Sequence, residues 1–273
     1  MSVIVQLSDL HFGRIDAQLL APLVSAVEAA APDVVVVSGD LTQRAKTAEF
    51  RAARDFLARL PGPQVVVPGN HDVPLFNIFD RFVRPLKRFQ EFIEDDPAPR
   101  FVDAQLAVIG INTARSAVVK NGRINAGQIA GIRAAFSGLP PAVFRVVVTH
   151  HPFDAGQALA PEDRVGRAEA GLRAFAECGV DLLLSGHFHI ASSGVSSSTA
   201  SGRPPGRGPL AVSAGTATST RVRGDPNQFN VLRVSKRRVE VETHSWLDES
   251  TSFLRSSVAV FERQAYGWRS AEC

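Results

Sequence analysis

With 273 residues, 45% of them hydrophobic, the chain is long enough to bury a large core. Thirty basic residues against 27 acidic ones leave a formal net charge of +3, too small for a nucleic-acid-binding track, so no nucleic acid is expected as partner. Two cysteines, Cys178 and Cys273, exclude a disulfide framework and make a reducing cytoplasm the expected compartment.

Met1 leads directly into the apolar run Val3–Leu7 with no charged leader, so no signal peptide is expected. No stretch approaches the roughly 18 apolar residues that a membrane span needs. Val3–Leu7 itself reads as a strand. Ala17–Ala30 reads as a helix with Asp16 as its N-cap. Four consecutive valines within Asp33–Ser38 mark a buried strand. Thr47–Leu60 is a predicted helix stopped by Pro61-Gly62-Pro63, and Gln64–Val67 a further strand. Leu106–Asn112 and Val143–Thr149 read as strands around a helix at Asn125–Phe136. A helix over Glu162–Cys178, ended by Gly179, precedes a strand at Val180–Ser185. Such alternation predicts an α/β fold with largely parallel pairing, in a single domain spanning 1–273. Ser192–Gly208, rich in Ser and Gly, reads as a mobile loop. Leu210–Ser213, Phe229–Val234 and Val239–Ser245 look like strands, with a hairpin turn at Ser235–Arg238. On the last, Val239, Val241 and Thr243 would share one face. Glu240, Glu242 and His244 would share the other, with His244 at the surface.

Six of the seven histidines follow predicted strands. Asp9 and His11 follow the first, Gly39-Asp40 the second, and Gly69-Asn70-His71-Asp72 the third. His150-His151 follow Val143–Thr149, and Gly186-His187-Phe188-His189 follow Val180–Ser185. In an open parallel sheet, ligands gather beyond the carboxyl ends of the strands, so five strands would deliver these groups to one edge. Asp-x-His and His-x-His place alternate side chains on one side of an extended segment. The glycines before Asp40, Asn70 and His187 suit tight turns. Imidazole and carboxylate without thiolate suit Zn, Mn, Fe or Ni, and there are enough ligands for two ions if Asp40 bridges them.

Together these motifs resemble the calcineurin-like metallophosphoesterases, closest in spacing to the bacterial cyclic-nucleotide phosphodiesterase branch. The resemblance implies a four-layer α/β/β/α sandwich of two mixed sheets flanked by helices. It implies two metal ions (Mn, Fe or Zn), one held by Asp9, His11, Asp40 and His189, the other by Asp40, Asn70, His150 and His187. It implies cleavage of a phosphodiester, such as 3′,5′-cyclic AMP or another small diester, through a metal-bridging hydroxide. His71 would then donate a proton or hydrogen bond to the leaving oxygen, and Asp72 would orient its imidazole. His150 is preferred to His151 as ligand because it directly follows the strand. His151 becomes either a group behind the ligands or one on the substrate side.

Arg115 follows another strand and could reach a phosphate. Residues 75–93 would form a helix with Leu75, Phe79, Phe82, Leu86, Phe89 and Ile93 on one face, interrupted at Pro85. It reads either as a surface helix packed on the core or as a lid over the site. The alternatives are hydrolysis of a nucleotide-sugar lipid pyrophosphate and, in another class, a non-catalytic metal-binding scaffold. A homodimer and peripheral membrane contact stay open.

Overall fold

The structure is a computed structural model that describes residues 1–96, 98–116, 121–154, 163–196, 208–221, 224–265 and 267–271. Among the described residues thirteen strands and six α-helices follow in chain order. They begin with β1 (Ser2–Leu7), α1 (Leu20–Ala29), β2 (Val34–Val37), α2 (Thr47–Leu57) and β3 (Gln64–Val66). Next come α3 (Ile78–Val83), α4 (Lys87–Phe92), β4 (Arg100–Val102), β5 (Leu106–Gly110), α5 (Ala126–Phe136), β6 (Phe144–Val148) and α6 (Ala168–Glu177). The chain closes with β7 (Leu182–Ser185), β8 (Ser192–Val195), β9 (Leu210–Ser213), β10 (Gln228–Val234), β11 (Arg238–Leu247), β12 (Ser252–Gln264) and β13 (Gly267–Ala271).

These strands make two mixed sheets, ordered β13-β12-β11-β10-β1-β2-β3 and β4-β5-β6-β7-β9-β8. Parallel pairing is confined to β1-β2-β3 and β5-β6-β7-β9. The remaining pairs, including the whole run from β1 through β10 to β13, are antiparallel. The expectation of largely parallel pairing is corrected accordingly.

Why the strands read as apolar runs follows from the layers. Val34 and Val36 of β2 and Leu106 and Val108 of β5 point into a core between the two sheets. Val35 and Val37 point the other way, onto Leu23 and Val27 of α1 and Phe50 of α2. Ala107 and Ile109 pack on Ile132 and Phe136 of α5 and Phe175 of α6. Each central strand is therefore covered on both faces, which alternation of side chains requires to be apolar throughout. The result is the four-layer α/β/β/α sandwich that the family resemblance implies.

Several local expectations hold. Asp16 accepts from the Gln18 amide and opens the turn into α1. Asn125 caps α5, and the Ser235 amide donates to the Arg238 carbonyl across the hairpin. Others change. Residues 164–167 are not helical: Arg167, in a left-handed conformation with φ +65°, starts α6 late, and Glu162 lies outside the described residues. Ser192–Val195 is a strand, not loop, and 197–207 lie outside the described residues, as does Cys273. His244 is not a free surface group. It stacks on Phe229 with ring centroids 5.1 Å apart and contacts Glu242 at 3.2 Å, where a bulge between Thr243 and His244 shifts the register of β11.

The segment 75–93 breaks into two helices at Arg84-Pro85-Leu86. Phe89 of α4 is buried in the core beside Leu86 and Ile93. The first half does not follow it: Phe76, Ile78, Phe79, Phe82 and Val83 are all at least 60% exposed. A single apolar face over the whole segment is thus corrected, because the break at Pro85 turns α3 away from the core. Among the described residues no helix is long and apolar enough to cross a membrane.

Candidate metal centre

The chain segments leaving β1, β2 and β3 in one sheet and β6 and β7 in the other bring Asp9, His11, Asp40, Asn70, His71, His150, His187 and His189 together. The pairs do not lie on extended backbone, as their spacing suggested. Asp9 and His11 both have φ near +53°, and His187 and His189 have +78° and +63°. Asp40, at +55°, is the fifth left-handed residue of the cluster. Such backbone costs a non-glycine residue of order 1–3 kcal/mol. It curls each segment back so that both side chains enter the same cavity. The adjoining glycines make room. A Cβ on Gly39, itself at φ +94°, would strike the His150 ring, and one on Gly69 would overlap the Asp40 carboxylate.

Around one position, His11 Nε2 lies 3.6 Å from Asp9 Oδ1, 3.8 Å from Asp40 Oδ2 and 3.4 Å from His189 Nε2. Around the other, His150 Nε2 lies 3.5 Å from Asp40 Oδ1, 3.1 Å from Asn70 Oδ1 and 3.2 Å from His187 Nδ1. Ligands at ~2.0–2.2 Å from a tetrahedral ion sit roughly 3.3–3.6 Å from one another, so both groups have the spacing of a coordination shell. Asp40 turns one oxygen toward each.

Groups behind the cluster fix which atoms face it. Asp9 Oδ2 accepts from the Ser8 hydroxyl at 2.6 Å and the His187 amide at 3.1 Å. Its Oδ1 is buried without a hydrogen-bond partner. His150 Nδ1 donates to the Ser38 carbonyl at 2.8 Å, and His189 Nδ1 donates to the Arg221 carbonyl at 3.0 Å. With Nδ1 so engaged, Nε2 of both rings is the atom aimed inward. His11 Nε2, His189 Nε2 and Asp9 Oδ1 thus converge on one point, an arrangement that a cation there would complete.

Charge is concentrated here too. Burial alone would raise the Asp9 carboxyl, but the neighbouring His11, His150 and His189 imidazoles hold it well below the usual range. Burial likewise opposes ionisation of Asp40, and His150 and His11 overcome it. For His187, burial and the neighbouring His150 push the imidazole down to about 4, which keeps it neutral and fit to ligate.

His71 stands at the edge of the cluster, its ring edge-on to His11 with centroids 4.9 Å apart. Its Nδ1 donates to the Gln43 carbonyl at 2.9 Å, and its Nε2 faces Arg221 Nη1 at 3.0 Å. Asp72 does not orient this imidazole, contrary to expectation. Its carboxylate accepts from the amides of Leu41, Thr42 and Gly69 and from the Thr42 hydroxyl, at 2.8–3.1 Å. It ties the β2 and β3 turns together, and Gln43 holds the ring instead. Asp72→Ala should therefore lower stability by about 3 kcal/mol, by stranding buried amides. Denaturant melts should show the loss, while the dependence of turnover on leaving group stays that of the wild type.

Of its two expected places, His151 lies behind the ligands rather than on the substrate side. It is 2% exposed, covered by Gly122, with Nδ1 at 2.9 Å from the Thr113 hydroxyl, so it cannot touch a substrate. Its ring lies 4.7 Å from that of His187, behind the cluster, and it groups with His150 and His187 as a further candidate ligand. Arg115 is not brought to the cluster; it is exposed and lines a neighbouring cavity. Arg221 was not singled out from sequence. It lies in the connection from β9 to β10, far from any histidine motif, and only the fold places it beside His71 and His189.

Two curated relatives match parts of the chain. A glycerophosphodiester phosphodiesterase from Enterobacter lignolyticus is 36% identical over 85 residues, covering 28% of this chain and 30% of its own length. A probable cyclic nucleotide phosphodiesterase from Synechococcus is 29% identical over 80 residues, covering 26% of this chain and 31% of its own. The chain thus matches less than a third of either relative's length. Among solved structures, a dimetal phosphatase from Danio rerio superposes with a TM-score of 0.65 at 15% identity, over 93% of this chain and 98% of its own. A purple acid phosphatase from yellow lupin gives 0.68 at 12% identity, over 97% of this chain and 54% of its own. Both show the fold. Residues 2–191 match the calcineurin-like phosphoesterase family, and with the sandwich and the clustered ligands in place, the chain belongs to it.

Proposed function

We propose that the chain hydrolyses phosphodiesters at a dinuclear metal centre. The observation that carries this is Asp40, whose two carboxylate oxygens face two separate groups of imidazole, carboxylate and amide ligands. Asp9, His11, Asp40 and His189 would hold one ion, and Asp40, Asn70, His150 and His187 the other. Bound there, Mn, Fe or Zn would supply Lewis acidity toward phosphoryl oxygens and acidify water to near neutral pH.

The chain's own groups do the rest. The Ser8 hydroxyl and the His187 amide hold Asp9, while the Ser38 and Arg221 carbonyls hold His150 and His189, so the ligands are aligned before any ion arrives. His71 presents Nε2 to the ester, since Gln43 occupies Nδ1. In its protonated form that nitrogen gives its proton to the departing oxygen. Arg221 presents a permanent charge at the same place and stabilises the same developing anion. The names of both curated relatives favour a diester over a monoester. Cyclic AMP is one candidate.

Metal-reconstituted protein tested on bis(p-nitrophenyl) phosphate, cyclic AMP, a glycerophosphodiester and a nucleotide-sugar pyrophosphate decides the reading. Turnover of diesters with about two bound ions is expected. No bound transition metal, and no turnover with added Mn, would sink it in favour of a binding scaffold.

The exposed aromatics of α3 favour a lid that meets the organic part of the ester. Phe82→Ser should leave stability within about 0.5 kcal/mol and raise KM for aryl esters roughly tenfold. An unchanged KM would remove the lid from the account.

A further inference from the structure

Beside the metal centre lies a cavity of about 500 Å³ that the centre does not use. Arg115, Arg123 and Arg167 line it, and no acidic side chain does among the described residues. None of the three guanidiniums makes an ion pair or side-chain hydrogen bond with the described residues. Three like charges around one concavity repel each other, and no described residue lining it offsets that cost. Two of the lining residues, Asn125 and Arg167, are the N-caps of α5 and α6, so the positive ends of two helix dipoles add to the same potential. Val73, Phe82, Pro85 and Leu86 give the cavity an apolar wall as well.

The cavity adjoins the reacting groups. Val73 is two residues beyond His71. Ala114 follows Thr113, whose hydroxyl meets His151 against His187. At ~3.8 Å per residue the cavity starts within roughly 10 Å of His71.

Building on the phosphodiesterase reading, we propose that this cavity is a second anionic subsite, and that the substrate is a phosphodiester whose organic part carries a further phosphate or carboxylate. The adjacent phosphate of a pyrophosphate shares an oxygen with the reacting one and would stay at the metals. A group seated on the arginines needs a spacer, and a ribose with an attached base supplies both the spacing and a flat ring for the apolar wall. Guanidinium forks match phosphate oxygens in pairs, which suits a terminal phosphate best.

The test compares ligands that differ only in the second anion. Full-length protein, with and without Mn, is titrated with thymidine 3′,5′-bisphosphate and thymidine 5′-monophosphate. In parallel, kcat/KM is measured for thymidine 5′-(p-nitrophenyl phosphate) with and without a 3′-phosphate. Wild type should favour the ligand with the second phosphate at least ~10-fold in both assays, about one guanidinium contact's worth. Arg115→Gln with Arg123→Gln should bring both ratios close to one. Arg54→Gln with Arg59→Gln, which removes the same charge elsewhere on the surface, should keep them. A wild-type ratio near one, or a ratio that survives in the double variant, overturns the subsite. A binding ratio that depends on Arg115 and Arg123 in a protein that cleaves neither ester upholds the subsite and ends the phosphodiesterase reading. Cleavage of both esters at equal efficiency does the opposite.

Discussion

Replacing Asp40 with asparagine should leave at most one metal ion per chain and reduce diester turnover by about 10³-fold or more. Asparagine keeps one carbonyl oxygen and exchanges the other for an amide that cannot ligate. Only one of the two groups now facing Asp40 Oδ1 and Oδ2 would then be complete. A 10³-fold loss corresponds to about 4 kcal/mol of transition-state stabilisation, which is modest for losing one of two charges on a phosphoryl group. Elemental analysis of the purified variant gives the stoichiometry, and bis(p-nitrophenyl) phosphate gives the rate. Two ions at full occupancy with undiminished turnover would show that Asp40 does not bridge.

His71→Ala should separate chemistry from metal binding. The ring's two nitrogens are directed to the Gln43 carbonyl and the Arg221 guanidinium, so its removal should leave both ions in place. Turnover should drop by about 10²–10⁴ for alkyl esters, whose alkoxides need a proton, and much less for p-nitrophenyl esters. Loss of metal instead would make His71 a ligand. That outcome is a real contest, because His71 also groups with His11 and Asp40 at ligand spacing.

Much of the centre was legible before any coordinates, because each candidate group directly follows an apolar run. A strand's direction and end are written in its hydrophobic pattern, and histidine and aspartate are distinctive where apolar runs stop. What stayed hidden came through other channels. Gln43 acts through its backbone carbonyl, which any residue type supplies. Arg221 arrives on a long connection after β9, with no neighbouring residue to announce it. Asp72 and His151 had the right neighbours but face away, and only burial reveals that. In the fold, β12 carries no mark of apolar alternation, because every residue from Leu254 to Val258 is exposed. The exposed half of 75–93 misled for the opposite reason: its pattern was apolar, yet Pro85 denies it the core.

The left-handed backbone at Asp9, His11, Asp40, His187 and His189 has a practical consequence for anyone dissecting this centre. Alanine at such a position is strained by its own Cβ, so an alanine scan would mix the cost of a disfavoured conformer with the loss of a ligand. Asparagine adopts that conformation more readily and nearly matches aspartate in shape. Glycine relieves the strain altogether. Comparing asparagine, glycine and alanine at one site therefore divides the measured deficit into a share owed to the metal and a share owed to chain conformation.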